Sequence, residues 1–225
     1  NKNMNITLKK IQADQRINTF IDHTDHYLKA LSYTDHGRRH LKIVSDRARQ
    51  IAADIGLNKK DQELAAISGW CHDMGNFMGR TQHHYWGAML FSQCYINDID
   101  DHDALTKIIK AITSHDKDEL KLVDKITACL IIADKSDVHR SRVLKKSLPA
   151  IKKDIHDRVN YAVTSNKLEI NKKNKTIILS LLLDTKFTDM MDYFSIFIER
   201  MNYCQKAASY IGYEFKLKIN KTILA

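Results

Sequence analysis

The residues of this chain best suited to chemistry are its histidines and aspartates. The dipeptide His-Asp occurs four times, at His72-Asp73, His102-Asp103, His115-Asp116 and His156-Asp157, so the surroundings of each must decide its meaning. His102-Asp103 lies in the acidic stretch Asp98 to Asp103 ahead of a helical pattern, where carboxylates favour the helix dipole and cap free N–H groups. His156-Asp157 sits among basic residues and reads as solvated surface. His72-Asp73 differs in kind: it ends the apolar run Leu64-Ala65-Ala66-Ile67-Ser68-Gly69-Trp70-Cys71 and precedes Met74-Gly75-Asn76. Two polar groups therefore emerge where a buried helix stops. Burying them unpaired would cost several kcal/mol, roughly 2–7, and a metal ion is a partner that satisfies both. The alternatives to histidine and carboxylate chemistry are missing, since the sequence has no G-x-G-x-x-G, G-x-x-x-x-G-K-[ST] or G-x-S-x-G. Gly75 to Gly79 is not a phosphate loop.

The elements that must position these residues follow from hydrophobic periodicity. Leu41, Val44, Ala48, Ile51, Ala52 and Ile55 line one helical face that Gly56 closes, and Asn58 caps the next helix, Lys59 to His72. Further helices are expected over Gln82–Ile96, Asp101–Ser114 and Leu120–Ala133, with one or two over Thr7–Leu31. Beyond Pro149, the only proline, the pattern changes. Tyr213, Phe215, Leu217 and Ile219 alternate with Glu214, Lys216, Lys218 and Asn220, the period of a half-buried strand. Two more strands are expected over Val159–Asn171 and Lys175–Asp184, turning through Lys172-Lys173-Asn174. A helix stripe of Phe187, Met190, Met191, Phe194, Ile198, Met201, Cys204, Ala208 and Ile211 lies between these and the last strand. The fold class is thus mainly α: a helical bundle over residues 1–148, followed by a small basic α+β module of β-β-α-β order over residues 149–225.

Charge divides the chain at the same place. The formal net charge is +9, yet residues 1–138 balance 19 Lys/Arg against 19 Asp/Glu, and the whole excess falls after Val138. The junction from Arg140 to Lys153 holds six basic residues and no acid. No apolar run approaches the roughly 18 residues of a membrane span. The start lacks the apolar stretch of a secretory signal, with Met4 read as the natural first residue. The four cysteines, Cys71, Cys94, Cys129 and Cys204, never form C-x-x-C and fall in apolar helical surroundings, as expected of reduced, buried thiols in a cytoplasmic protein without membrane attachment.

Three segments together resemble a known family. Tyr33-Thr34-Asp35-His36-Gly37-Arg38-Arg39-His40-Leu41-Lys42-Ile43-Val44, then Cys71-His72-Asp73-Met74-Gly75-Asn76, then Ile131-Ile132-Ala133-Asp134-Lys135 are similar to the HD superfamily of metal-dependent phosphohydrolases. The order is His, His-Asp, then a distant Asp that ends an apolar helix. His40 fits the first position better than His36 because it lies within the apolar stripe. His83-His84-Tyr85-Trp86-Gly87-Ala88 resembles the H-x-x-x-G-A segment of members that hold two metals, and Ile109 to Asp116 resembles their next ligand segment. The resemblance covers about residues 30–140. It implies an HD-type helical domain in which His40, His72, Asp73, His83, His115 and Asp134 bind one or two divalent ions, with Asp73 as the catalytic residue, bridging the ions where there are two; in a one-metal site His83 and His115 would contact substrate. His84 is the rival of His83 as ligand and otherwise a substrate contact. The imidazole and carboxylate mixture suits iron or manganese, with zinc, nickel or magnesium as alternatives.

The implied reaction is hydrolysis of a nucleotide-like phosphate ester or anhydride, because a cation must neutralise phosphoryl oxygens that repel hydroxide. Substrate contacts are expected from Asn76, Arg80, His84, Lys135, Arg140 and Arg142, the arginines for their planar fork. Asn76 stands where many two-metal relatives have the lysine of H-D-x-G-K, so close kinship with the cyclic-dinucleotide-cleaving branch is not expected. The ligand set alone would also serve an HD-fold di-iron oxygenase. A further alternative is RNA or nucleotide binding by the basic module, through Lys172, Lys173, Lys175, Lys216 and Lys218 with Tyr161, Tyr213 and Phe215. The better reading makes those aromatics core and those lysines a solvated face, so the expected partner is a small phosphate compound, with the module serving as a homodimer contact, a lid or a sensor.

Overall fold

The computed structural model describes residues 6–116 and 121–224. Met4, and Leu120 at the expected start of one helix, lie outside them. The helical half runs α1 Leu8–Ala13, α2 Gln15–Ala30, α3 Arg38–Asp54, α4 Lys59–Cys71, α5 His83–Tyr95, α6 His102–Ser114 and α7 Lys125–Lys135. Asp14 stands between α1 and α2 and supplies a side-chain acceptor to the second; the hydrogen bond from Arg16 lowers its carboxyl to about 2. The expected face of α3 is buried through Leu41, Val44, Ala48, Ile51 and Ala52, and Gly56 at φ +82° follows its C-terminus. Asn58 caps α4 by accepting from the Asp61 N–H.

The second half comprises α8 Leu148–Lys153, α9 Ile155–Ala162, β1 Val163–Asn171, β2 Thr176–Leu183, α10 Met190–Tyr210, β3 Glu214–Ile219 and β4 Thr222–Leu224. The expected β-β-α-β order is present, with additions at both ends. The first strand begins at Val163 rather than Val159, because Asp154 accepts from the N–H groups of His156 and Asp157 and starts a helix there. Asp157 is correspondingly buried against Lys145, not solvated as its basic surroundings suggest. The sheet order is β1-β2-β3-β4; β1 and β2 are antiparallel, and α10 carries the chain across to β3 parallel to β2. β4 adds three residues, too few for a periodic signal.

Of the expected stripe, Met201, Cys204, Ala208 and Ile211 are buried and Phe187, Met190 and Phe194 pack partly buried against the core, whereas Met191 and Ile198 are exposed. Tyr193, Phe197 and Ala207 are buried beside them on α10. Arg158 donates to Asp192 in the first turn of α10 at 3.0 Å. All four cysteines are buried thiols. No described helix is long and apolar enough to cross a membrane.

Two contacts set the frame for the site. α10 packs on α7 as well as on β3, and one cluster of buried residues runs through both halves of the chain. α3 crosses α4 at backbone distance: a Cβ at Gly69 would lie 2.8 Å from the Ser45 Cα, and the Ser45 hydroxyl donates to the Ala66 carbonyl at 2.8 Å. Because α3 carries His40 and α4 delivers His72, this closeness brings two polar side chains together. Gly69→Ala is expected to destabilise the protein by about 1–3 kcal/mol through overpacking, read as a lowered denaturant midpoint with unchanged slope.

Candidate metal centre

The positions of the histidines follow from helix ends. His72 follows the last residue of α4 and His115 the last residue of α6, where carbonyls lack helical partners. His72 Nδ1 lies 2.9 Å from the Gly69 carbonyl, His115 Nδ1 2.7 Å from Ile112, and His83 Nδ1, opening α5, 2.8 Å from Arg80. In each case the acceptor is three residues back. His40, inside α3, points Nδ1 instead at the Asp137 carboxylate, 2.7 Å away. A carbonyl or carboxylate oxygen accepts, so Nδ1 donates and the neutral ring presents its Nε2 lone pair.

The four Nε2 atoms are then aimed at one another. His40 and His72 stand 3.3 Å apart at Nε2, and His83 and His115 3.1 Å apart. Asp134 Oδ1 lies 3.3 Å from His40 and 3.6 Å from His72. Asp73 faces both pairs: Oδ2 is 3.2 Å from His72 and 3.6 Å from His40, while Oδ1 is 3.2 Å from His83. All six side chains are buried. Donor atoms sharing one ion with bonds of about 2.1 Å stand about 3.0–3.4 Å apart, close to these separations. Facing lone pairs repel unless a proton or a metal cation lies between them, and the separations and donor types fit a shared divalent ion. Two groups, His40–His72–Asp134 and His72–Asp73–His115, each have donor atoms within 4.8 Å of one another.

Electrostatics shows the same demand for positive charge. Burial opposes a charged His72, but Asp73 and Asp134 outweigh it and hold the ring up to about 10. Burial together with His72 and His83 keeps His115 well below the usual imidazole range. Against the opposing effect of burial, His72 and His83 hold the Asp73 carboxyl well below the usual range; Lys135, His40 and His72 do the same for Asp134.

The remaining expected site residues fall into three groups. Asn76 is buried and fully engaged: its Nδ2 donates to the Asp73 carbonyl and carboxylate at 2.9 Å each, and its Oδ1 accepts from Arg80 at 2.8 Å. These bonds tie it to Asp73 and Arg80, beside the cleft where the sequence placed a contact to substrate. Arg80 and Lys135 line the cleft beside the donor cluster, Lys135 pairing with Asp116 and with Asp134 at 3.0 Å. Arg142 also lines it but is buried, with its donors on the carbonyls of Asp35 and Asp137. His84 lies against the donor cluster, its ring centre 6.3 Å from that of His115, whereas Arg140 lies away from the cleft lining. His84 packs beside His83, ring centres 5.5 Å apart, and Arg140 is exposed with its guanidinium over Tyr161 at 5.0 Å.

Four contributors escaped the sequence reading. Asp137 holds His40, and its carboxyl stays well below the usual range because His40, Arg142 and Arg39 outweigh its burial; Arg39 spans it at 2.9 Å and Asp35 at 2.6 Å. The only available signal was its place three residues after Asp134. Asp116 receives Lys135 and lies 3.8 Å from His83; the dipeptide His115-Asp116 marked it. His36, with Nδ1 on the Thr34 carbonyl at 2.6 Å, lines the cleft, and Arg200 reaches it from α10, which no sequence pattern foretold. A second chamber of about 340 Å³ adjoins the cleft and shares His36, Arg80 and Arg200 with it.

In the basic module three of the named residues are accounted for by contacts within the chain. Phe215 is buried, Lys172 pairs with Asp54 at 2.9 Å, and Lys216 with Glu214 at 3.2 Å.

Residues 38–161 match the model of the HD domain family. The chain is also 24% identical over 167 residues to the uncharacterized protein MJ1020 of Methanocaldococcus jannaschii, a match covering 64% of this chain and 63% of that protein. The chain thus spans less than two thirds of that relative's length. Because Asp137 fixes the ring that presents His40 Nε2, Asp137→Asn is expected to weaken metal affinity about 10–100-fold with the fold retained, measured by competition with a metal-sensing dye and by circular dichroism.

Proposed function

The chain belongs to the HD domain family, and on that premise we propose that it is a metal-dependent phosphohydrolase, acting on a nucleotide-like phosphate ester or anhydride. The observation that carries this reading is the pair of opposed imidazole couples with Asp73 between them. His40, His72, Asp134 and Asp73 Oδ2 would hold one ion, and His83, His115 and Asp73 Oδ1 a second. Iron or manganese suits the nitrogen and oxygen mixture best, with zinc, nickel or magnesium as alternatives. Such ions supply Lewis-acid polarisation of phosphoryl oxygens and a water of lowered pKa as nucleophile.

The chain's own residues do the rest. Asp73 ties the two halves of the site together through its two oxygens, and Asn76 holds that carboxylate in register. Arg80, carried on the same Asn76 amide, presents the positive charge that a neutral residue at position 76 lacks, and its fork suits phosphoryl oxygens. Lys135 balances Asp116 and Asp134 at the cleft wall. His36 presents Nε2 as an acceptor toward the cleft, since Nδ1 is engaged by Thr34. Lys135, Asp134 and Asp73 are buried, so their charges act with little screening by solvent, whereas Arg80 and Asp116 are about a third exposed.

The decisive experiment compares wild-type protein with the double variant His72→Ala, Asp73→Ala. Wild-type protein is expected to retain metal when purified without chelator, to release phosphate from nucleotides in a screen, to lose that turnover on chelation and regain it with manganese. In the double variant bound metal and turnover should fall together to background. Hydrolysis retained by the folded variant would refute the site assignment, and oxygen uptake without phosphate release would replace hydrolysis by the oxygenase reading.

A further inference from the structure

The cleft is lined by Asp73, Asp116 and Asp134 and by four cationic side chains, three of which have polar partners among the described residues. Lys135 is paired with Asp116 and Asp134. Arg142 has its donors on the carbonyls of Asp35 and Asp137. Arg80 donates to Asn76 and stands 3.9 Å from Asp73. Arg200 is different. Its guanidinium lies over the Phe197 ring at 5.2 Å, and among the described residues no carboxylate is within ion-pair reach of it.

An arginine without a counter-ion is ordinary on an open surface, but this one is partly buried and lines a wall with other cations. Asp116 and Asp134, the acids lining the same cleft, are engaged by Lys135, so a phosphate entering the cleft would give Arg200 a counter-ion. Stacking on Phe197 holds the guanidinium plane and lowers the entropy lost when its fork closes on oxygens. Arg200 also lines the adjoining chamber, together with Leu31, Tyr33, Thr34, His156 and the carboxylates Asp154 and Asp157, both of which Lys145 pairs. The volume of about 340 Å³ is in the range of small-molecule sites, and its lining mixes apolar and polar groups without a further unpaired cation.

We infer that Arg200 holds the phosphate of the substrate at the mouth between cleft and chamber, so that the chamber takes the organic body of an organic phosphate. This rests on the phosphohydrolase reading above. It makes α10, which lies outside the matched residues 38–161, a part of the substrate site and a determinant of specificity.

The test uses full-length, manganese-loaded protein and titrates inorganic phosphate by calorimetry into wild type, Arg200→Ala and Arg200→Lys, with metal counted in the same samples. All three are expected to hold equal metal. Phosphate affinity should fall at least tenfold in Arg200→Ala and be partly restored in Arg200→Lys. Unchanged affinity in Arg200→Ala would overturn the inference and leave the hydrolase reading intact, and loss of metal in that variant would make Arg200 a structural support instead. Wild-type protein that holds metal but binds no phosphate would remove the hydrolase reading and this inference together. For the chamber, Thr34→Trp is expected to weaken a mononucleotide at least tenfold relative to inorganic phosphate, and equal weakening of both would exclude the chamber as the seat of the organic body.

Discussion

Imidazole lone pairs aimed at one another across little more than 3 Å are the constraint on which the helical half depends. Each ring is held from behind by an oxygen that can only accept, so it cannot relieve the repulsion by switching its proton to the other nitrogen. A fold that gathers such rings with Asp73 and Asp134 in a buried space has assembled a set of donors in need of a positive centre.

The helices are arranged to make this gathering rigid. α3 and α4 meet at Gly69 with no room for a methyl group, and a Cβ at Gly75 would come within 2.3 Å of the Gly87 nitrogen, which seats the turn after Asp73 directly on α5 and its His83. On the far side, Asp137 clamps His40 while Arg39 and Arg142 tie that carboxylate to the loop before α3. Positive charge thus lies behind the donors as structure and in front of them as cleft wall. The formal +9 of the chain describes neither role. Arg142 serves the first from the basic junction, whereas Arg140, two residues earlier, stacks on Tyr161 at the surface.

The legibility of these features in the sequence depended on their range. The helices and the histidine and aspartate cluster were readable because period, cap residues and motif order are local properties, as at Asn58, Gly56 and His72-Asp73. β1 was placed too early because the cap at Asp154 outranked the β-branched residues that follow, and along α10 the periodicity found most of the packed residues but left out Tyr193 and Phe197. The bonds of Asn76 to Asp73 and Arg80 were unreadable because they depend on a turn that periodicity does not describe. Asp137 and Arg200 were unreadable for a stronger reason: 97 residues separate His40 from Asp137, and α10 meets the cleft only through its packing on α7. Side chains that complete a site from a distance leave no pattern in the segment that carries them.

The central claim is that cations lie between the opposed imidazole pairs. Anomalous diffraction from crystals of chelator-free protein tests it most directly. The account predicts two anomalous peaks on either side of Asp73, each about 2.0–2.3 Å from its donors, with His40, His72 and Asp134 around one and His83 and His115 around the other. Well-ordered crystals with no anomalous density there, and with the Nε2 atoms turned apart, would contradict it.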